Sequence, residues 1–290
     1  MNFTSLSIVG CGDIGTRVAG LAAAKLIKVC ALSRGNKFPH DPSVPGVEFT
    51  LCDLDDPASV SGLNLQGSHL LYAAPPPGGG VIDTRVRNFL AALKPGAEPE
   101  KIVYISTTSV YGDCGDETVT EERLVNPANH TATRRCDAEK AFREWGEEKG
   151  VAVVILRVSG IYGPGRVPLQ RITAREPLLN EAEAGYTNRI HADDLAAVCL
   201  QALETGEAGD VFNVCDGEVS KMTDYFNAIT DLLKLPRLPQ VTLAEARKVM
   251  SPLMLTYMTE SRKVSNRKML EKLGISLNYP TMIAGLKGSL

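Results

Sequence analysis

The chain has no apolar run of about 18 residues or more, the length a membrane-spanning helix needs. Its first residues, MNFTSLSIVG, lack the basic start and small-residue cleavage end of a secretory signal. We therefore expect a cytoplasmic protein with no membrane partner. There is no C-x-x-C: the seven cysteines (Cys11, Cys30, Cys52, Cys114, Cys136, Cys199, Cys215) are odd in number and scattered, which argues against a disulfide framework or a zinc cluster. The four histidines are equally dispersed, and we expect no metal. Nor is there a basic excess. With 31 Lys and Arg against 34 Asp and Glu, the net charge of -3 leaves nothing to neutralise a phosphate backbone, so no nucleic-acid partner is expected. Internal repeats are absent, and low complexity is confined to the loop APPPGGG.

What is present is alternation. SLSIVG, IKVCALS, GVEFTLCDL, HLLYAAP, KIVYIST and AVVILRVSG have strand length and near-continuous apolar character, and between them TRVAGLAAAK, DTRVRNFLAALK and DAEKAFREWGEEKG carry helical spacing. Such a pattern implies crossover connections and an α/β fold built on a doubly wound parallel sheet. After about residue 163 the pattern loosens. MTDYFNAITDLLKLP reads as an amphipathic helix stopped by proline, and DVFNVCD as a further strand.

In IVGCGDIGTRVAG, Gly10, Gly12 and Gly15 form G-x-G-x-x-G between the first strand and first helix, with Asp13 and Ile14 at the helix start. Gly10 permits the tight turn, Gly12 lets backbone approach a pyrophosphate, and Gly15 lets helix and strand pack closely. In that context the motif predicts a Rossmann-type dinucleotide-binding domain at 1–163, to which 187–217 returns. A small, mostly helical substrate-side lobe is expected from 164–186 and 218–290. The second strand ends in ALSRGNK, without the carboxylate that would accept hydrogen bonds from an adenine ribose. Arg34, helped by Ser33 and Lys37, would bind a 2′-phosphate instead, which favours NADP over NAD. Asp53 and Leu54 after the third strand, and Ala73, Ala74 and Pro75 after the fourth, are further candidates to line the cofactor.

STTSVYGD, ILRVSGIYGPGR, NRIHADDLA, VFNVCDGE and VSNRKMLEKLGISLNYPTMIAGL together resemble an extended short-chain dehydrogenase/reductase of the NAD-dependent epimerase/dehydratase family. The resemblance implies a cofactor-binding lobe closed by a second lobe over a carbonyl or hydroxyl compound, in many members a nucleotide sugar. It gives Thr107 the place of the catalytic Ser/Thr, its hydroxyl aimed at the substrate oxygen. Thr108 and Ser109 fall on the substrate side, and Ser159, Gly160 and Ile161 in the loop that covers the nicotinamide. Arg166 and Arg189 could meet an anionic substrate. The stretch from Pro164 to Asn188 is short for a member that grips a full nucleotide diphosphate, which points to a smaller substrate.

The family's Tyr-x-x-x-Lys is missing. Counting about 20 residues from Tyr111 reaches Thr131, and one helical turn on, Arg135. The rival pair Cys136 and Lys140 belongs to a charged helical face, whereas Thr131, Arg135, Ala138, Phe142 and Trp145 recur at spacings that trace the face expected to pack on the sheet. Threonine is too short and too weakly acidic to replace a phenol, while Arg135 can still hold a ribose but cannot shuttle protons. His130, Tyr111 and His191 offer other titratable groups, with His191 better read as packing and capping. Two readings stay open. One is an atypical enzyme, NADP-dependent, acting on a small molecule such as a sugar derivative with a proton carried by water or His130; the other is a catalytically inactive dinucleotide-binding regulator or redox sensor. The charged outer face of 131–149 (Arg134, Asp137, Lys140, Arg143, Glu147, Glu148) leads us to expect a monomer or weak homodimer.

Overall fold

A computed structural model describes residues 2–35 and 46–290. Among them, seven strands form one parallel sheet: β1 (Ser5–Val9), β2 (Lys28–Ser33), β3 (Val47–Leu51), β4 (His69–Tyr72), β5 (Lys101–Thr107), β6 (Ala152–Val158) and β7 (Val211–Val214). They lie side by side as β7-β6-β5-β4-β1-β2-β3, so the chain winds outward from β1 in one direction and then returns to wind in the other. The switch between β1 and β4 opens a crevice at the strands' carboxyl ends, where open α/β sheets bind ligands.

The central strands are largely apolar because both faces are covered, whereas the edge strand β3 is mostly exposed. On one face α1 (Asp13–Ala24) and α4 (Ala192–Thr205) pack with Val18, Ala22, Leu195, Val198 and Cys199 against Leu6, Ile8, Val103 and Leu156. On the other, α2 (Thr84–Ala92) and α3 (His130–Lys149) bury Phe89, Ala138 and Phe142 against Leu70, Tyr72, Tyr104 and Ile155. α3 starts at the Asn129 cap, whose side chain accepts from the Ala132 amide at 2.9 Å, and ends at Gly150 in the left-handed conformation.

The predicted strand in DVFNVCD is thus the seventh strand of the sheet, paired with β6 in register Val211 to Ile155. Beyond it, helices Met222–Leu232, Leu243–Val249, Pro252–Thr259 and Met282–Lys287 gather a separate core around Tyr162, Leu178, Phe226, Ile229 and Met258. The helix Arg267–Leu273 instead adds Met269 and Leu273 to the core beneath the sheet. No helix among the described residues is long and apolar enough to cross a membrane.

The outer face of α3 differs from expectation at one position. Arg134 is buried, with Nη1 donating to the carbonyls of Gly79 (3.1 Å) and Gly80 (2.8 Å), so it clamps the APPPGGG loop to the helix. Its long side chain reaches over a loop that helical periodicity does not register.

Candidate functional site

Two cavities lie at the carboxyl ends of the strands. The larger, about 470 Å³, is lined by Gly10, Gly12, Asp13, Ile14 and Gly15 at the start of α1, by Ser33, Arg34 and Gly35 after β2, by Cys52 and Leu54 after β3, by Ala73, Ala74 and Pro75 after β4, and by Arg85, Arg135, Ile161 and Arg166. Each glycine answers to a different constraint. Gly10 has φ +84°, and a Cβ there would stand 2.4 Å from the Ala74 amide nitrogen; at Gly15 one would meet the Gly10 carbonyl and the Ile8 side chain at 3.1 Å. Nothing lies within 4 Å of where a Gly12 Cβ would point. That open position, at a helix N-terminus whose first amides lack partners within the helix, fits a pyrophosphate. Four arginines along the wall fit the same polyanion.

The charges at the ends of this cleft are anchored. Arg17 and Arg166 both donate to Asp13, Arg17 at 2.9 Å, and hold its carboxyl below the ordinary value against the upward push of burial. Arg166, predicted to meet a substrate, is thus tied across the glycine turn on the cofactor side. Arg34 is exposed and 3.7 Å from Asp55, a carboxylate held more tightly by Arg85 at 2.5 Å. Lys37 lies outside the described residues. Asp53 is not part of the wall: along the extended chain Cys52 and Leu54 face the cleft and the residue between them faces away, its Oδ1 accepting from the Asp55 amide at 3.0 Å. Cys11 sits in the glycine turn, where burial pushes its thiol up to about 11.

Arg135 enters the same cleft from α3. Its Nη1 donates to the Ile105 carbonyl (2.8 Å) and the Tyr104 hydroxyl (3.1 Å), which fixes the guanidinium at the end of β5. One turn earlier the geometry changes. Thr131 is exposed and its hydroxyl accepts from Arg134 at 3.2 Å; His130 is exposed too, and neither lines either cavity. Tyr111 is almost fully buried, donates to Asn213 at 2.8 Å, accepts from Arg157 at 3.0 Å and has its phenol pushed up by burial, so it has no hydrogen to pass to a ligand. His191 is buried, and its Nδ1 accepts from the Asp193 amide at 3.2 Å, so it caps α4; burial lowers its pKa.

The second cavity, about 350 Å³, is lined by Thr107, Thr108 and Ser109 at the end of β5, by Ser159 and Gly160 after β6, and by Asn188, Arg189, Met222, Tyr257 and Arg262 from the second half. Residues 159–161 divide between the two spaces: Ser159 and Gly160 line the smaller and Ile161 the larger. Thr107 Oγ1 accepts from the Ser109 amide at 3.2 Å. Beneath this wall runs a buried network: Glu139 of α3 accepts from Ser106 (2.6 Å) and Arg157 (2.8 Å), and Arg157 reaches Tyr111. Sequence reasoning missed this network and also Arg85 and Arg262. Only the charged residues within the apolar face of α3 and the arginine within the apolar run of β6 could have hinted at Glu139 and Arg157.

A parallel sheet wound in this order around a glycine-rich turn, with a cleft at its switch point, defines a Rossmann-type fold, the kind that binds dinucleotides at that crevice. Residues 82–215 match the model of the NAD dependent epimerase/dehydratase family. The chain is 27% identical over 163 residues to GDP-6-deoxy-D-mannose reductase from Pseudomonas aeruginosa, covering 51% of this chain and 54% of that one. To the human dTDP-D-glucose 4,6-dehydratase it is 29% identical over 126 residues, 41% of this chain and 36% of the other. The chain thus spans about half or less of the length of these curated relatives. Whole-length likeness comes from solved structures. A conserved protein of unknown function from Silicibacter pomeroyi superposes with TM-score 0.79 at 26% identity, over 98% of this chain and 97% of that one. Two more share the fold at lower identity, each over 98% of this chain and 97% of the other: UDP-glucuronic acid 4-epimerase from Bacillus cereus in complex with NAD (TM-score 0.76, 18%) and RMD from Pseudomonas aeruginosa complexed with NADPH (TM-score 0.74, 22%).

Proposed function

We propose that the protein is an NAD(P)-dependent oxidoreductase or epimerase/dehydratase-type enzyme acting on a small carbonyl or hydroxyl compound, with NADP the favoured cofactor. The observation that carries this reading is that consecutive residues line the two cavities, Ser159 and Gly160 the smaller and Ile161 the larger, so that one short loop links a glycine-edged cleft to a hydroxyl-lined space at the ends of β5 and β6. The larger cavity would be filled from 1–163 and the smaller closed over by the lobe of 164–186 and 218–290. A regulator needs the cleft alone and has no use for the second space. The names of the relatives, sugar reductases and dehydratases, support the enzyme reading too.

The bound nicotinamide would supply or accept hydride. Within the chain, Arg135 is fixed by the Ile105 carbonyl so that it can hold the nicotinamide ribose, and Arg34 would meet the 2′-phosphate. Because the Thr107 oxygen already accepts from Ser109, its own hydrogen is left to donate to a substrate oxygen as charge develops there. With Tyr111 committed to Asn213 and with Thr131 and His130 outside both cavities, we assign the proton to water entering the smaller cavity. The protein would act in the cytoplasm, as a monomer or weak homodimer.

The test is a turnover screen. Purified protein with NADPH is offered carbonyl compounds and nucleotide sugars while NADPH oxidation and isomerisation are followed. Turnover that falls on the order of 10²-fold in Thr107→Ala, with NADPH affinity unchanged, is the expected result. Tight NADPH binding with no turnover across the panel would instead establish the regulator.

A further inference from the structure

The buried arginines of this chain are matched by acceptors, with one exception. Arg157 meets Glu139, Arg262 meets Glu260, and Arg134 meets two carbonyls. Arg189 is only 6% exposed, yet among the described residues it has no carboxylate within ion-pairing reach. Its Nε is buried without a hydrogen-bond partner, and Nη2 reaches only the thioether of Met222 at 3.4 Å. The guanidinium stacks 3.8 Å from the centre of the Tyr225 ring, which fixes its plane without satisfying its donors.

A buried cation without an anion is unfavourable unless something else supplies the charge. Among the described residues the protein supplies it only from a distance: Asp216 and Asp224 act on Arg189 electrostatically, but neither forms an ion pair with it. Asp216 is tied by backbone to Arg189, its amide donating to the Arg189 carbonyl at 2.7 Å, but burial pushes its carboxyl up to about 7. Asp224 accepts from the Lys221 amide at 2.7 Å and caps its own helix. The cavity that Arg189 lines has no Asp or Glu on its wall, and its other cation, Arg262, is occupied by Glu260 at 2.5 Å and the Gly112 carbonyl at 2.8 Å. Gly160 leaves the approach open: a Cβ there would stand 3.4 Å from Arg189 Nη1, and both residues line the same space.

Resting on the enzyme reading above, we propose that Arg189 is the anion receptor of the smaller cavity, gripping the carboxylate or phosphate of a small carbonyl or hydroxyl substrate through Nη1 and Nη2. The planar fork suits either oxyanion, and a charge-assisted pair formed away from bulk water gives both affinity and orientation. At about 350 Å³ the space is at the small end of ligand pockets, so it suits a compact anion better than a nucleotide sugar. Thr107, Thr108 and Ser109 line the same wall system and would take the reacting oxygen.

Ligand-observed NMR on the full chain tests this, with pyruvate as carboxylate, methyl phosphate as phosphate and hydroxyacetone as the neutral counterpart. NADPH binding is read by fluorescence on the same samples. We expect at least one anion to bind the native protein about tenfold or more tightly than hydroxyacetone, and to lose about tenfold or more in Arg189→Met, the loss of a charge-assisted contact. The anion that binds more tightly names the source. NADPH affinity should not change in the variant. If neither anion outcompetes hydroxyacetone, or if Arg189→Met binds them as the native protein does, the proposal is wrong. Should Arg189→Met fail to fold, the native comparison still decides, and Arg189→Lys, which keeps the charge but loses the fork, is expected to weaken the anion. Loss of NADPH binding in the native protein would overturn the enzyme reading while leaving the anion result to be read by itself.

Discussion

At the scale of single residues, selectivity in the cofactor cleft comes down to Arg34. It is exposed, and its contact with Asp55 at 3.7 Å is loose because Arg85 already holds that carboxylate. A weak surface pair is easily exchanged for a phosphate. Arg34→Ala should therefore weaken NADPH roughly tenfold, the value of one charge-assisted contact, and leave NADH unchanged; fluorescence titration of both checks it. Asp216 makes a different prediction. Its carboxyl is raised from 3.8 to about 7 by burial, so its protonated form is the one the fold prefers. The stability it provides is complete below the ordinary value and is lost as pH rises through about 7. Asp216→Asn, which keeps an acceptor for the Glu218 amide, should gain on the native protein by about 1.4 kcal/mol per pH unit across that window. Urea unfolding at pH 5, 6 and 7 would show a constant difference if the reading is wrong.

Elements decide how much of this was legible in advance. The central strands could be read because a sheet covered on both faces demands nearly unbroken apolar runs, and the glycine turn because backbone constraints leave no other residue at Gly10. Lining of the cleft by Gly12, Arg34, Leu54 and Ala74 follows from where strands end, and by Arg135 from the inward face of α3. What escaped were contacts across space. Asp53 looked equivalent to Leu54 until the alternation of an extended chain turned it away, and Arg85 lies on the first turn of α2, far in sequence from Asp55, which it holds. Glu139 was hidden because helical spacing shows which face is buried but not that a charge on it has a partner on β6. Arg157 leaves Glu139 fully paired, so Glu139→Ala should strand a buried guanidinium and cost about 3–5 kcal/mol in chemical denaturation. A loss below about 1 kcal/mol would mean that water replaces the carboxylate.

For the whole molecule, the sheet with its two packed faces lines nearly all of the larger cavity, and the second half of the chain adds the far wall of the smaller one. Thr107 stands at the end of β5, Arg189 lies on a short strand paired with Gly160–Tyr162, Arg262 comes from the C-terminal segment, and Arg166 is tied to the glycine turn through Asp13. Function depends first on whether the larger cavity takes a nicotinamide dinucleotide. Titration of the full chain with NADPH and NADH, followed by nucleotide fluorescence, measures that directly. The account predicts saturable binding at one site per chain, with NADPH tighter than NADH; absence of saturable binding by either nucleotide would contradict it.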